Sequence, residues 1–175
     1  PGASFTYTAE DLAAEYEAKP ANYSTYTYRQ FLISDSLFQT DDNALSDEEL
    51  AEKKEALATE MAASTQGNEQ AFIDAAYENA AESNKDSYAD ESYTLRSTIG
   101  SSIVEAQRDW LADSARQEGD TTTIDVDGTW YVLYYISCDV NDWQLPNVRE
   151  IPFAATDASD EDAMNEAKAN AEAAL

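Results

Sequence analysis

Hydrophobic and polar residues alternate with two different periods along this chain, and the clearest stretch lies between residues 121 and 136. Residues 121–124 are β-branched, residues 130–136 form the most apolar run, and Asp127-Gly128 separates the two runs. An Asp-Gly pair in that position favours a tight hairpin turn, because both turn residues need positive φ. The stretch therefore predicts two antiparallel strands.

A third strand is predicted over residues 23–33. Side chains of a strand alternate between its two faces, so Tyr26, Tyr28, Gln30 and Leu32 share one face, and Thr27, Arg29, Phe31 and Ile33 share the other. Both faces carry large side chains. A strand that is bulky on both sides is typical of the centre of a sheet.

Helical periodicity predicts three helices in the first half. One begins at Thr8 and ends at Lys19-Pro20, since the residue before proline avoids the helical region. Another begins at a capping box, Ser46 with Glu49, and runs to about residue 64 with Leu50, Leu57 and Met61 inward. The third covers residues 69–81, with a buried set of Phe72, Ile73, Ala76 and Tyr77.

The chain between this helix and the hairpin is predicted as a polar loop over residues 83–91, a short strand over 92–98 and a further helix. A capping box of Ser102 with Glu105 would begin that helix. Ile103, Trp110 and Leu111 then share its inner face. A turn at Glu118-Gly119-Asp120 leads into the hairpin.

The end of the chain repeats an earlier pattern. Residues 148–153 (VREIPF) followed by a helix from Ser159 echo residues 28–33 (YRQFLI) followed by the helix from Ser46. Pro152 removes a backbone donor, so this strand is expected at an edge. The predicted organisation is a leading helix (1–22), a main domain (23–138), and a linker, strand and helix (139–175) that begin a second unit.

These elements predict an α+β fold in which a small antiparallel sheet is covered by about four helices. The chain has a net charge of −26, from 36 Asp and Glu against 10 Lys and Arg. It therefore lacks the positive surface that nucleic-acid binding requires. The same charge disfavours anionic membrane surfaces. No apolar run approaches 18 residues, so we expect no membrane span.

The residue types also restrict the chemistry. The chain has no His and a single cysteine, Cys138, so a Cys-His nucleophile, a zinc site and an intrachain disulfide are not expected. Asp125 with Asp127, and Asp139 with Asp142, do not match the twelve-residue calcium loop, and turn formation explains them. We therefore predict no metal and no cofactor.

Three motifs resemble the parvulin (rotamase) family of peptidyl-prolyl isomerases. Residues 28–33 are similar to its opening strand, usually VRHILV, and residues 67–72 (GNEQAF) with Tyr77 are similar to its Asp-Phe-x-x-Leu-Ala helix entry. Trp110-Leu111, Arg116 and Gly119-Asp120, followed by Asp127-Gly128 and residues 131–136 (YVLYYI), resemble its helix, Pro-Gly-Glu turn and Tyr-His-Ile-Ile strand. The resemblance covers about two-thirds of the chain and is nearest to degenerate units of PrsA- and SurA-type extracytoplasmic foldases.

The resemblance implies a parvulin-like domain over residues 23–138 that binds non-native or proline-containing polypeptide, outside the cytoplasm, with a signal or anchor segment removed. The two family histidines are replaced by Gln30 and Tyr131. Isomerase activity is therefore expected to be weak or lost, and no catalytic residue is assigned. The candidate peptide groove consists of Gln30, Phe31, Trp110 and Tyr131.

Two other hypotheses remain open from the sequence. The first is a structural or adhesive spacer module of a cell-surface protein, which the repeat favours because tandem domains often act as spacers. The second is an acidic partner protein of the cytosol. At the level of the site, Gln30 and Tyr131 either bind a peptide carbonyl or satisfy each other inside a core.

Overall fold

The computed structural model describes residues 7–39, 45–141, 153–157 and 159–173. The chain divides into two compact units, Pro1–Asn141 and Asp142–Leu175. The leading helix belongs to the first unit, and the boundary falls three residues after the end of the predicted main domain.

A four-stranded antiparallel sheet forms the centre of the first unit, in the order β2-β1-β4-β3. The strands are β1 (Thr25–Ile33), β2 (Leu95–Ile99), β3 (Thr121–Val126) and β4 (Thr129–Asp139). β1 pairs with β4 along its whole length, apart from a bulge that leaves Ile136 unpaired. The predicted α+β class and the central position of β1 are both confirmed.

Seven α-helices occur within the described residues: α1 (Ala9–Ala18), α2 (Pro20–Tyr23), α3 (Asp47–Thr65), α4 (Glu69–Asn79), α5 (Lys85–Tyr88), α6 (Glu105–Leu111) and α7 (Glu161–Ala173). Short 3-10 helices cover Asp35–Leu37, Glu82–Asn84, Glu91–Thr94 and Gly100–Ser102. The predicted capping box of Ser46 with Glu49 is confirmed at α3. The predicted helix start at Thr8 is also confirmed, and there Thr8 and Asp11 form a capping box of α1.

Each face of the sheet has its own core. The α3 face buries Phe31, Ile33, Val132 and Tyr134 against Ala58, Met61, Phe72 and Ala76 of α3 and α4. The opposite side, the α6 face, buries Tyr26, Tyr28, Leu133 and Tyr135 against Ile103 and Leu111. Full burial of a side chain of this size contributes about 1.5–3 kcal/mol, so both central strands are held from two sides.

The Asp127-Gly128 hairpin forms as predicted, with φ of 51° and 83° at its two turn residues. The Asp125 carboxylate accepts a hydrogen bond from the Gly128 amide at 2.8 Å. At the end of β4, the Asp139 carboxylate likewise accepts from the Asn141 amide at 2.9 Å. These carboxylates thus stabilise turns, which is the role the sequence favoured over calcium binding.

Three local predictions are wrong. Ser102 does not cap α6, because it belongs to a 3-10 turn, and the helix begins after Val104 without a side-chain cap. Tyr77 is 43% exposed, since α4 buries only Phe72, Ile73 and Ala76. The predicted polar loop over residues 83–91 contains α5, whose Tyr88 packs its ring edge on Phe31 at 5.5 Å.

Two buried cations connect the sheet to its surroundings. Arg29 of β1 donates hydrogen bonds to Glu69 at 2.7 Å and to the Thr94 hydroxyl at 2.8 Å. Lys54 of α3 donates to the Asp35 carboxylate at 2.7 Å and to the Gly128 carbonyl at 2.6 Å. A buried charge is tolerated only when it is paired in this way, so both cations fix the positions of their partners.

The second unit contains α7, which has no buried residue. The Asp160 carboxylate accepts from the Asp162 amide at 2.9 Å and holds the first turn of this helix. Of the predicted strand over residues 148–153, all but Phe153 lies outside the described residues, and Phe153 is not in a strand.

Gly100 provides a sharp test of this packing. A Cβ at Gly100 would overlap the carbonyl oxygen of Ala21 and approach the Tyr26 ring to 3.0 Å. We expect Gly100→Ala to lower the free energy of unfolding by at least about 2 kcal/mol, because backbone must move. The measurement is urea unfolding followed by Trp fluorescence.

The matched control is Gly67→Ala. Gly67 has a φ of 73°, and no atom lies within 4 Å of the added Cβ. The substitution should therefore lower the free energy of unfolding only by the cost of placing alanine in a left-handed conformation, about 1 kcal/mol. A larger loss for Gly67→Ala than for Gly100→Ala would contradict the packing described.

Candidate functional site

Gln30 and Tyr131 lie on the same face of the sheet, the α6 face. In the β1–β4 ladder Gln30 is opposite Leu133 and Leu32 is opposite Tyr131. Gln30 and Tyr131 are therefore diagonal neighbours, about 7–8 Å apart. Both side chains are half-buried. The ladder thus brings the two predicted polar groups together at the end of the sheet next to the hairpin.

Two apolar residues complete this surface. Leu32 is 39% exposed, and Ile124 of β3 lies directly opposite Tyr131 and packs against the α6-face core. We call the four residues Gln30, Leu32, Ile124 and Tyr131 the open patch. Leu32 and Ile124 are additions to the predicted site residues, although strand alternation alone places Leu32 on the same side as Gln30.

Phe31 does not belong to the open patch. It is 1% exposed and lies in the α3-face core with Phe72 and Tyr134. Neighbouring residues of a strand point to opposite faces, so Phe31 cannot share a surface with Gln30. The prediction that Phe31 lines the peptide groove is corrected accordingly.

Trp110 reaches the same face at a different place. Its ring meets the Tyr135 ring edge-on at 6.5 Å, and the Arg116 guanidinium lies 4.1 Å from its ring centroid. Tyr135 is four residues from Tyr131 along β4, a distance of about 13 Å. Leu133, between them, is completely buried. Trp110 therefore packs next to Tyr135, on the other side of the buried Leu133 from Tyr131, and does not belong to the open patch.

The open patch is uncharged. None of its four residues is an Asp, Glu, Lys, Arg or His. Among the described residues, neither the Gln30 amide nor the Tyr131 hydroxyl forms a side-chain hydrogen bond, whereas Thr27 and Arg29 of β1 do. The patch thus offers an amide, a phenol and apolar surface to a ligand, without a general acid or base.

Other chemistry has little support in the parts of the chain that the structure describes. Residues 7–39, 45–141, 153–157 and 159–173 hold no group of three or more Cys, Asp or Glu side chains arranged to bind a metal ion. Within the same ranges, every helix is too short or too polar to traverse a bilayer. Cys138 is a free thiol that lines an apolar cleft of about 360 Å³ with Tyr26, Leu111 and Tyr135.

Cys138 is exposed, but its raised pKa should make it less reactive near neutral pH than a peptide thiol. Partial burial raises its pKa above the usual value, so the thiolate fraction at any pH below that pKa is reduced. We expect the rate of iodoacetamide alkylation to rise with pH to a midpoint above about 8.5, the value of an exposed cysteine. A peptide thiol is the control. A midpoint below that of the peptide would make Cys138 a reactive group.

Comparison with known proteins adds no assignment to this geometry. No model of a protein family matches the sequence, and no curated protein matches it. The function is therefore inferred from the residues and their arrangement alone.

Proposed function

We propose that the first unit is a parvulin-like polypeptide-binding module of an extracytoplasmic foldase, and that it holds non-native chains at the open patch. The observation that carries the proposal is the position of Gln30 and Tyr131, which lie side by side on a half-exposed, uncharged surface with Leu32 and Ile124. An extended polypeptide presents both apolar side chains and backbone carbonyls, and the patch has partners for each.

The order of the elements supports the family resemblance. β1 is followed by α3, α4, the short α5, β2, α6 and the β3–β4 hairpin, which apart from α5 is the sequence of elements expected from the motifs. β1 and β4 are neighbours in the sheet, so Gln30 and Tyr131, which the resemblance aligns with the two family histidines, are diagonal neighbours in the ladder.

Catalysis is proposed to be weak or lost. Rotation about a peptide bond has a barrier of about 18–20 kcal/mol, and the family lowers it with a histidine network that Gln30 and Tyr131 replace. An amide and a phenol provide hydrogen bonds, which suffice for binding.

A protease-coupled prolyl isomerisation assay tests this part of the proposal. We expect the protein to leave the rate at its uncatalysed value. The double variant Gln30→His with Tyr131→His shows whether this fold supports catalysis once the two family histidines are introduced. Turnover by the unmodified protein at the level of a histidine-bearing parvulin would refute the loss of activity.

Binding is tested separately with a permanently unfolded, S-alkylated model protein. We expect the double variant Leu32→Thr with Tyr131→Thr to weaken the Kd about 25-fold, because the loss of about 1 kcal/mol at each of two central anchor residues adds to about 2 kcal/mol. Threonine retains strand propensity, and urea unfolding checks that the fold is kept.

The matched control is Leu12→Thr with Tyr7→Thr. These residues are 61% and 70% exposed, so the control removes more exposed apolar surface, and a non-specific hydrophobic binder would lose more affinity from it. Equal losses in the two double variants would exclude the open patch as the site. No binding by the unmodified protein would favour a spacer module.

A further inference from the structure

A second surface of the first unit has the character of a binding site. A cavity of about 380 Å³ lies between α4 and the segment that contains α5, lined in part by Ile73, Asp74, Tyr77, Glu78, Tyr88 and Glu91. It belongs to neither the open patch nor the α6 face, because α4 packs on the opposite side of the sheet. Nothing proposed above gives it a role.

The inner wall of this cavity is apolar and fixed. Ile73 is 8% exposed. The Tyr88 ring packs against Phe31 at 5.5 Å and against Tyr93 at 4.8 Å, both in edge-on geometry. Edge-on aromatic pairs of this kind are stabilising, so the Tyr88 ring is held in place by contacts on two sides.

The rim of the cavity carries three carboxylates, those of Asp74, Glu78 and Glu91. None of the ion pairs among the described residues includes Asp74, Glu78 or Glu91. Asp74 accepts a hydrogen bond from the Gln70 amide at 2.9 Å, which leaves its charge in place. Three carboxylates around an apolar wall complement a ligand with an apolar stem and a positive end.

The chain itself shows that a cation occupies this region. The Lys85 ammonium lies 5.6 Å from the centroid of the Tyr77 ring, within the range of a cation–π interaction. Lys85 pairs only loosely with Glu82, at 3.8 Å. The exposed Tyr77 ring therefore already attracts a positive side chain at the edge of the cavity.

We propose that the α4–α5 cavity binds an arginine or lysine side chain of a polypeptide partner. The aliphatic stem packs on Ile73 and Tyr88, and the charged end lies near the Tyr77 ring and the carboxylates of Asp74 and Glu78. This site stands apart from the proposed function, since it shares no residue with the open patch and exists whether or not that patch binds polypeptide.

The test is a titration of the ¹⁵N-labelled full chain with a short peptide of alternating glycine and arginine. A peptide with glutamine in place of arginine is the reference. We expect saturable shifts of the Tyr77 and Ala89 amide signals with the arginine peptide and none with the glutamine peptide. Shifts spread evenly over the acidic surface would overturn the proposal.

Tyr77→Leu separates the cavity from the general negative field, because it removes the ring without changing the charge. We expect it to weaken binding about twofold to fivefold, the loss of one exposed cation–π contact. Unchanged affinity in this variant would also overturn the proposal. Since Tyr77 is largely exposed, the fold should tolerate the change.

Two pairs of variants with equal charge changes complete the experiment. Glu78→Gln should weaken binding more than Glu60→Gln, which alters an exposed acid of α3. Lys85→Gln should strengthen binding more than Lys53→Gln, because only Lys85 competes for the Tyr77 ring. Equal effects within both pairs would mean that binding reflects net charge alone.

Discussion

The pairing of β1 with β4 is the constraint on which the rest of the first unit depends. Every residue of β1 faces β4 in the ladder, so alternate side chains are directed to two separate cores. α3 and α4 cover one face and α6 covers the other. β2 and β3 attach at the outer edges of this pair. The open patch exists only because the ladder sets Leu32 against Tyr131 and leaves that end of the α6 face uncovered.

The charge composition places a second constraint on the fold. With 36 acids and 10 bases, self-repulsion opposes the compact state. Even so, two of the cations among the described residues are buried, and each joins elements that are distant in sequence. Arg29 joins β1 to α4, and Lys54 joins α3 to the hairpin turn. Loss of either partner would leave a buried charge without compensation, which is far more costly than loss of a surface pair.

Features that depend on neighbouring residues were predictable from the sequence. The Asp127-Gly128 turn and the Thr8 and Ser46 caps each involve residues within three positions of one another, and all three form. The Ser102 cap failed for a tertiary reason. Gly100 packs closely against Ala21 and its amide bonds to the Ser24 carbonyl, and this contact holds residues 100–102 in a turn.

The candidate site was only partly predictable. Alternation along β1 correctly puts Gln30 and Leu32 on one face, and the same rule should have removed Phe31 from the groove. The position of Ile124 depends on the register of β3 against β4, which residue types alone do not fix. The α4–α5 cavity was not predictable, because the residues around Tyr88 are mostly polar. Their composition gives no indication that the Tyr88 ring packs on Phe31.

The ladder between β1 and β4 also determines when this protein acquires its structure. Its partners lie about a hundred residues apart along the chain, and long-range pairing of this kind slows folding because a large loop must close first. At a synthesis rate of about 5–20 residues per second, β4 leaves the ribosome several seconds after β1. Until then the edge of β1 that pairs with β4 has no partner, although β2 is already available for the other edge. The many carboxylates of the chain would be the main protection of that edge against aggregation.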